Sequence, residues 1–315
     1  MIRSILPSLG ILALLASLGC TYEAGQGSGV EPAEPDQPSD PPAQAAVVSE
    51  TGGVSMAGGA AGLEDQRDVR ELLEDLLKAK NPGYPGGAHI EMRDGLPVGI
   101  FLANQPVSDI SMFKGLPLMV LELTGTQVSD ISALEKMPLR GLFLEDTKVE
   151  DLSPLAGAPL MQFALNNTRV RNIDSLKGAP IRELRMAETR VKDISALAGM
   201  PLEQLWLNNS DVDNIAPLKG APLVSLTLRG TRVKDLSPLA GSETLQRLHI
   251  AETRVEDLSP LAGLKLTRLV FTPSRIERGI EAIQTIPSLK EMGDSLESMM
   301  HPAQFWQRYA AGGFE

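Results

Sequence analysis

The sequence predicts an α/β solenoid: a curved parallel β-sheet with short 3₁₀ or α turns on its convex side and helical caps at its ends. Three observations predict it. A 21-residue phrase, P-L-x-x-L-x-L-x-x-T-x-V-x-D-[IL]-S-[PA]-L-x-G-[AM], runs six times without a gap from Pro117, Pro138, Pro159, Pro180, Pro201 and Pro222. Leucines inside each copy alternate with polar residues, the period of a half-buried strand. No single copy can bury its own apolar side chains, so the copies must stack. Fixed-period self-similarity around an L-x-x-L-x-L core is the signature of a leucine-rich solenoid. A degenerate copy begins at Leu96, a seventh at Thr244, one residue late, and a decaying eighth at Lys265.

The copy from Pro201 shows the logic. Leu205 and Leu207 alternate with Gln204, Trp206 and Asn208. Val212, Ile215 and Leu218 return to the same interior along the opposite wall. Ser153-Pro154, Ser237-Pro238 and Ser259-Pro260 set a capping hydroxyl before a proline suited to the first helical position, so S-P-L-x-G reads as one short turn per copy. Gly157, Gly178, Gly199, Gly220, Gly241 and Gly263 close those turns with a left-handed exit. A column of Thr126, Thr147, Thr168, Thr189, Ser210, Thr231 and Thr253 is expected to bond the turn backbone of the next coil. Asp109, Asp130, Asp151, Asp193, Asp235 and Asp257 precede the turns, where carboxylates favour a helix N-terminus. One carboxylate per copy falls short of the six to eight oxygens that calcium takes, so no metal site is expected.

The chain divides as follows. Residues 1–19 read as a signal peptide, with Arg3 as the basic start and an apolar run from Ile5 to Leu18. That run is short for a membrane span. Small residues then precede Cys20, the only cysteine, so no internal disulfide can form. Residues 20–62 form an acidic Pro/Gly/Ala tether; 21–62 hold six acidic residues and no Lys or Arg, too polar to fold. Such a chain spans roughly 35 Å root-mean-square.

Residues 63–81 read as an N-terminal capping helix with Val69, Leu72, Leu73, Leu76 and Leu77 on one face. Early Glu64, Asp65 and Asp68 and late Lys78 and Lys80 suit its dipole, and Asn81-Pro82-Gly83 stops it. Residues 82–274 form the solenoid and 275–315 a C-terminal cap. Ile276, Ile280, Ile283 and Ile286 show helical spacing there. Pro287 to Lys290 begin a last strand, and Phe305, Trp306 and Tyr309 are placed to lie on one helical face against the last coil.

The net charge is −11. A mildly acidic body lacks the basic footprint of a nucleic-acid partner. His89, His249 and His301 stand in no metalloprotease pattern, and no phosphate loop occurs. No catalytic residue, metal or cofactor is therefore expected, and the chain reads as non-enzymatic.

The segment before Cys20 resembles the bacterial lipobox, with Ser17 at the usual leucine position and Leu18 one place later. That resemblance implies cleavage before Cys20, lipidation of Cys20, and a lipid-anchored life in the cell envelope. Thr21 after it favours the outer membrane in a diderm cell. N-P-G-Y-P-G at Asn81–Gly86, the G-A-P-L repeats and the closing P-A-Q-F-W-Q-R-Y resemble planctomycete-type bacterial leucine-rich-repeat proteins, and the repeats are similar to the internalin-like class. The resemblance covers residues 63–315 and implies a horseshoe fold that binds protein. Several such relatives carry a kinase domain ahead of their repeats; this chain holds no V-A-I-K, H-R-D or D-F-G motif.

A solenoid binds partners on its concave strand face. The expected exposed central column is Phe101, Glu122, Phe143, Ala164, Arg185, Trp206, Thr227, His249 and Val270. Trp and Arg are enriched at binding hot spots. The predicted partner-binding patch is Arg185, Trp206, Asn208 and Arg229, from three successive coils, flanked by Phe143 and His249. An alternative surface is a basic strip past the threonine column, of Lys148, Arg169, Arg171, Arg190, Lys192, Arg232, Lys234 and Arg254. It would suit a structural or polyanionic-glycan-binding envelope component, unless Glu188, Glu252 and neighbouring acids balance it.

Overall fold

The computed structural model describes residues 68–314. The signal peptide, Cys20, the tether and the first residues of the expected capping helix lie outside the described residues. Among the described residues, eleven strands form one sheet in sequence order. They are β1 (His89–Arg93), β2 (Leu96–Phe101), β3 (Val120–Glu122), β4 (Gly141–Phe143), β5 (Gln162–Ala164) and β6 (Glu183–Arg185). β7 (Gln204–Trp206), β8 (Ser225–Thr227), β9 (Arg247–His249), β10 (Arg268–Val270) and β11 (Glu291–Gly293) follow. All pairs from β2 onward are parallel. β1 is antiparallel to β2, and it lies ahead of the first repeat expected from sequence. Asp94 and Gly95 join the two with positive φ, the geometry of a tight hairpin.

The repeat phrase builds its coil through three kinds of position. Leucines fill the interior: Leu202, Leu205, Leu207, Val212, Ile215 and Leu218 of one coil are all buried. Each contributes about 1.5–3 kcal/mol by leaving water, and only while both neighbouring coils stand in place. The chain then turns through a left-handed residue. Asn104, Gly125, Asp146, Asn167, Glu188, Asn209, Gly230 and Glu252 occupy one column at φ +53 to +70°. Their N–H groups extend the ladder past the strands, as in Asn167 to Ala187 O at 2.9 Å, except that Glu252 N donates to Thr272 Oγ1 at 2.8 Å.

That turn explains a correction. The threonine hydroxyls bond their own coil, not the next one. Thr126 Oγ1 donates to Leu123 O at 2.7 Å, and Thr147, Thr168, Thr189, Ser210, Thr231 and Thr253 repeat the contact three residues back. The left-handed residue folds each hydroxyl over the carbonyl of its own coil's inward apolar residue, Leu in five coils, Met186 and Ile250 in the others.

A second correction concerns the caps of the 3₁₀ turns. Serine does not cap them; Ser153 is the first residue of Ser153–Leu155, and the preceding Leu152 gives no side-chain bond. The aspartate two residues earlier does this work. Asp151 Oδ1 accepts from Ser153 N at 2.8 Å, and Asp109, Asp130, Asp193, Asp235 and Asp257 do likewise. Asn172 and Asn214 substitute with their amide oxygens. Bonds from the side chain and the backbone N–H of the following serine together hold Asp109, Asp130, Asp151, Asp193 and Asp257 below the usual carboxylate range. Gly157 closes its turn at φ +77°, and Lys136 takes the left-handed conformation at the same place in the copy from Pro117.

Helix α1 (Val69–Lys80) covers the first coil with only part of its stripe. Leu73 and Leu77 are buried, whereas Val69, Leu72 and Leu76 remain exposed. Asn81 joins the helix to the solenoid. Its amide donates to Leu77 O and Asp109 O, and its carbonyl accepts from Ser108 N and Asp109 N, at 2.8–3.1 Å. Tyr84 donates its hydroxyl to Glu74 at 3.0 Å, so the N-P-G-Y-P-G motif serves as a joint.

At the other end, helix α2 spans only Ile280–Gln284, because a 3₁₀ turn at Pro273–Arg275 holds the chain before Ile276. Helix α3 (Pro302–Ala310) buries Phe305 fully against Phe271, with ring centroids 5.4 Å apart. Phe305 also meets Trp306 edge-on, and Phe314 at 4.7 Å. No helix among the described residues is long and apolar enough to cross a membrane.

Candidate functional site on the concave face

Strand alternation places three columns on the concave face. The central one is that expected from sequence. The outer ones run through Gln162, Glu183, Gln204, Ser225, Arg247 and Arg268 on one side and Glu145, Asn166, Asn208 and Arg229 on the other. Strands about 4.8 Å apart press successive side chains of a column together. The central column is accordingly closed over much of its length, which corrects the expectation of exposure. Phe143 is 3% exposed and His249 6%, and Ala164 and Val270 are buried too. Neither Phe143 nor His249 is an open flank of the predicted patch.

The predicted pair at the centre does adjoin. Arg185 and Trp206 are register partners on β6 and β7, and the guanidinium lies 5.3 Å from the indole centroid. Arg185 is also held by Glu183 at 2.6 Å. Both Arg185 and Trp206 are half-buried. Arg229 turns away from this pair to Glu252 of the next coil, at 2.8 Å. Asn208 is half-buried beside it, with Oδ1 unpartnered.

The face is electrically polar along the solenoid. Toward the N-terminal coils stand Glu122, Glu145 and Glu183. Glu122 is 7% exposed and its carboxyl is pushed up to about 7, chiefly by burial, against the pull of its bond from Thr124 N at 3.0 Å. Burial also raises Glu145, which accepts from the Asn166 amide. Toward the C-terminal coils stand Arg229, Arg247 and Arg268. His249 is pushed down to about 4 by burial and by nearby Arg229, so it is neutral at physiological pH.

A hollow of about 170 Å³ opens between these C-terminal coils, lined by Trp206, Thr227, Arg247, His249, Arg268 and Leu296. Arg268 is engaged with Glu291 at 2.6 Å, whereas Arg247, its register partner, makes no ion pair among the described residues. Leu296, on the loop before α3, is 55% exposed at the rim. Sequence reasoning missed this hollow. The alternation that marks Trp206 also marks Ser225, Arg247 and Arg268 two residues before the central column, so three of its residues carried a signal; Leu296 carried none.

Unsatisfied groups gather on this same face. Among the described residues, the buried side-chain atoms without a hydrogen-bond partner are Glu91 Oε1 and Oε2, Gln162 Oε1, Asn208 Oδ1, Thr227 Oγ1 and His249 Nε2. Four of these residues stand in the concave columns, and Glu91 pairs directly with Gly99 at their N-terminal edge. His89 Nε2 lies 3.7 Å from Glu91.

The basic strip is partly neutralised. Arg169 meets Glu150 at 3.3 Å, Lys192 meets Asp213 at 3.3 Å and Arg232 meets Asp211 at 2.9 Å. These acids belong to the strip's own neighbourhood; Glu252, expected to balance it, is taken by Arg229 instead.

No family model and no curated protein matches the chain. Solved structures do resemble it. An internalin (inlF) from Listeria monocytogenes is 23% identical at a TM-score of 0.56, covering 61% of this chain and 59% of its own. The chain thus spans less than two thirds of that protein. Internalin C2 (inlC2) from the same organism is 24% identical at a TM-score of 0.55, covering 64% of this chain and 92% of its own. The chain has the leucine-rich-repeat solenoid fold of these internalins.

Proposed function

We propose that the protein is a non-enzymatic, lipid-anchored binding protein of the bacterial cell envelope that takes a protein partner on its concave strand face. One observation carries the choice of surface: the buried, unpartnered side-chain atoms of the described residues gather on that face. An unsatisfied buried polar group costs about 1–3 kcal/mol, and a docked partner toward which these side chains turn relieves that cost. The half-buried Arg185–Trp206 pair supplies the residue types that dominate interface energetics. The ion pairs within the basic strip leave it the weaker surface. Anchoring rests on the apolar leader, the small residues and the lone Cys20; Thr21 favours the outer membrane of a diderm cell.

Two experiments test the reading. Crosslinking capture from intact envelopes compares the native chain with an Arg185→Ala, Trp206→Ala double variant. A protein captured by the first and lost with the second is expected; equal capture by both would overturn the concave assignment. Metabolic labelling with radioactive palmitate is expected to mark the native chain and not Cys20→Ser. Unlabelled native chain would remove the lipid anchor.

A further inference from the structure

The hollow on the C-terminal coils is built for something smaller and more specific than a general protein surface. Its volume, about 170 Å³, falls below the 300–1,000 Å³ of small-molecule and cofactor sites and suits one side chain. Its wall carries two guanidiniums. Glu291 already engages that of Arg268, while that of Arg247 is half-buried with no ion pair among the described residues. Thr227 and His249 line it, their Oγ1 and Nε2 atoms are buried and unpartnered, and His249 is more than nine-tenths buried. A hydroxyl donates to an anion, and so does a neutral imidazole carrying its proton on Nε2. Trp206 and Leu296 supply apolar sides that exclude water and strengthen a charge-assisted bond.

We infer that this hollow is the anchor site for an acidic side chain, Asp or Glu, of the protein segment docked on the concave face. The carboxylate pairs with Arg247 and accepts from Thr227 and His249, while its methylenes lie along Trp206 and Leu296. The inference rests on the concave-face reading and deepens it. The protein itself holds a competing anion nearby. Glu297, next to Leu296, is exposed and close enough to influence His249 and Arg229 electrostatically. Removing its charge therefore favours an incoming carboxylate.

The test is a selection of displayed random peptides, about 16 residues long, on the full chain, long enough to cross the face in extended form. Enriched peptides are synthesised with blocked termini and titrated against native, Arg247→Gln, Glu297→Gln and Arg185→Ala, Trp206→Ala proteins. The expected result is a recurring Asp or Glu whose amide replacement weakens binding roughly tenfold or more, an equal loss with Arg247→Gln, and a gain with Glu297→Gln. Arg247 makes no ion pair among the described residues, so its variant is expected to keep the native melting curve. Peptides that need Arg185 and Trp206 but lack the acid, or ignore Arg247→Gln, overturn the anchor and leave the concave face standing. Peptides indifferent to the double variant overturn both.

Discussion

Glu122→Gln is expected to stabilise the protein, and to do so only where the native carboxyl is ionised. Glu122 stands in the middle of the concave face, on β3, almost fully buried. Burial and neighbouring Glu145 raise its carboxyl from the ordinary 4.5 to about 7, against the bonds from Thr124 and the charge of Arg185. Below pH 4.5 the group is protonated folded or unfolded and adds no pH-dependent term. Between 4.5 and 7 the unfolded chain releases a proton that the folded chain retains, so stability falls as pH rises. Above 7 the full penalty is expressed, about 3 kcal/mol at about 1.4 kcal/mol per pH unit. Glutamine keeps the oxygen that accepts from Thr124 N and removes the charge. Urea titrations followed by far-UV circular dichroism at pH 5 and pH 8 separate the two contributions. The gain of the variant over the native chain is expected to be small at pH 5 and to grow toward about 3 kcal/mol at pH 8. An equal difference at both pH values would refute the reasoning, because packing alone carries no proton linkage.

Other perturbations address the turns, the joint and the caps. Gly230→Ala puts a Cβ into a φ of +69° and against the Asn209 side chain, whereas Gly157→Ala at +77° meets open space. The first is expected to lower the urea midpoint more than the second, which loses only the left-handed term of about 1–2 kcal/mol; equal losses would contradict the Asn209 contact. Asn81→Ala strands Asp109 O, Ser108 N and Asp109 N, while Leu77 O keeps the Asn81 backbone N–H, and is expected to cost about 2–4 kcal/mol, with faster hydrogen exchange over Val69–Lys80. Unchanged exchange there would mean that Asn81 does not hold the helix. The turn aspartates act oppositely to Glu122. Their lowered values mean stability that is present above the ordinary carboxylate value and lost as pH falls through the folded one. Asp151→Asn with Asp193→Asn keeps the caps, as Asn172 and Asn214 do. The pair is expected to lower the neutral midpoint modestly, because the stability carried by the ionised carboxylates is gone, and to flatten the acid limb below about pH 4; an unaltered acid limb would contradict it.

The repeat phrase made the coil legible because each position has one physical task. Leu205, Leu207, Val212, Ile215 and Leu218 could only face inward, and 21-residue spacing could only align the strands. The hairpin of β1 and β2 was legible too, since Asp94-Gly95 between short strands is a turn signal, but the repeat drew attention past it. The left-handed column was written in the Asn, Gly and Asp of N-N-T, T-G-T and E-D-T, and disguised by Glu188 and Glu252. The direction of the threonine bonds depended on that column. At the site, adjacency of Arg185 and Trp206 followed from the period, while burial of Phe143 and His249 depended on what lay across the column. His249 lies in a hollow closed partly by Leu296, from an irregular loop that no period describes.

The central claim is that a protein partner sits on the concave strands, and position-specific photocrosslinking tests it most directly. A photoreactive residue at Gln204, in a concave column, is compared in intact cells with one at Lys219, beside the convex 3₁₀ turn Ala216–Leu218. The account predicts a discrete protein adduct from position 204, lost when Arg185→Ala and Trp206→Ala are added, and none from position 219. An adduct from 219 alone, or one from 204 that survives both substitutions, would contradict it.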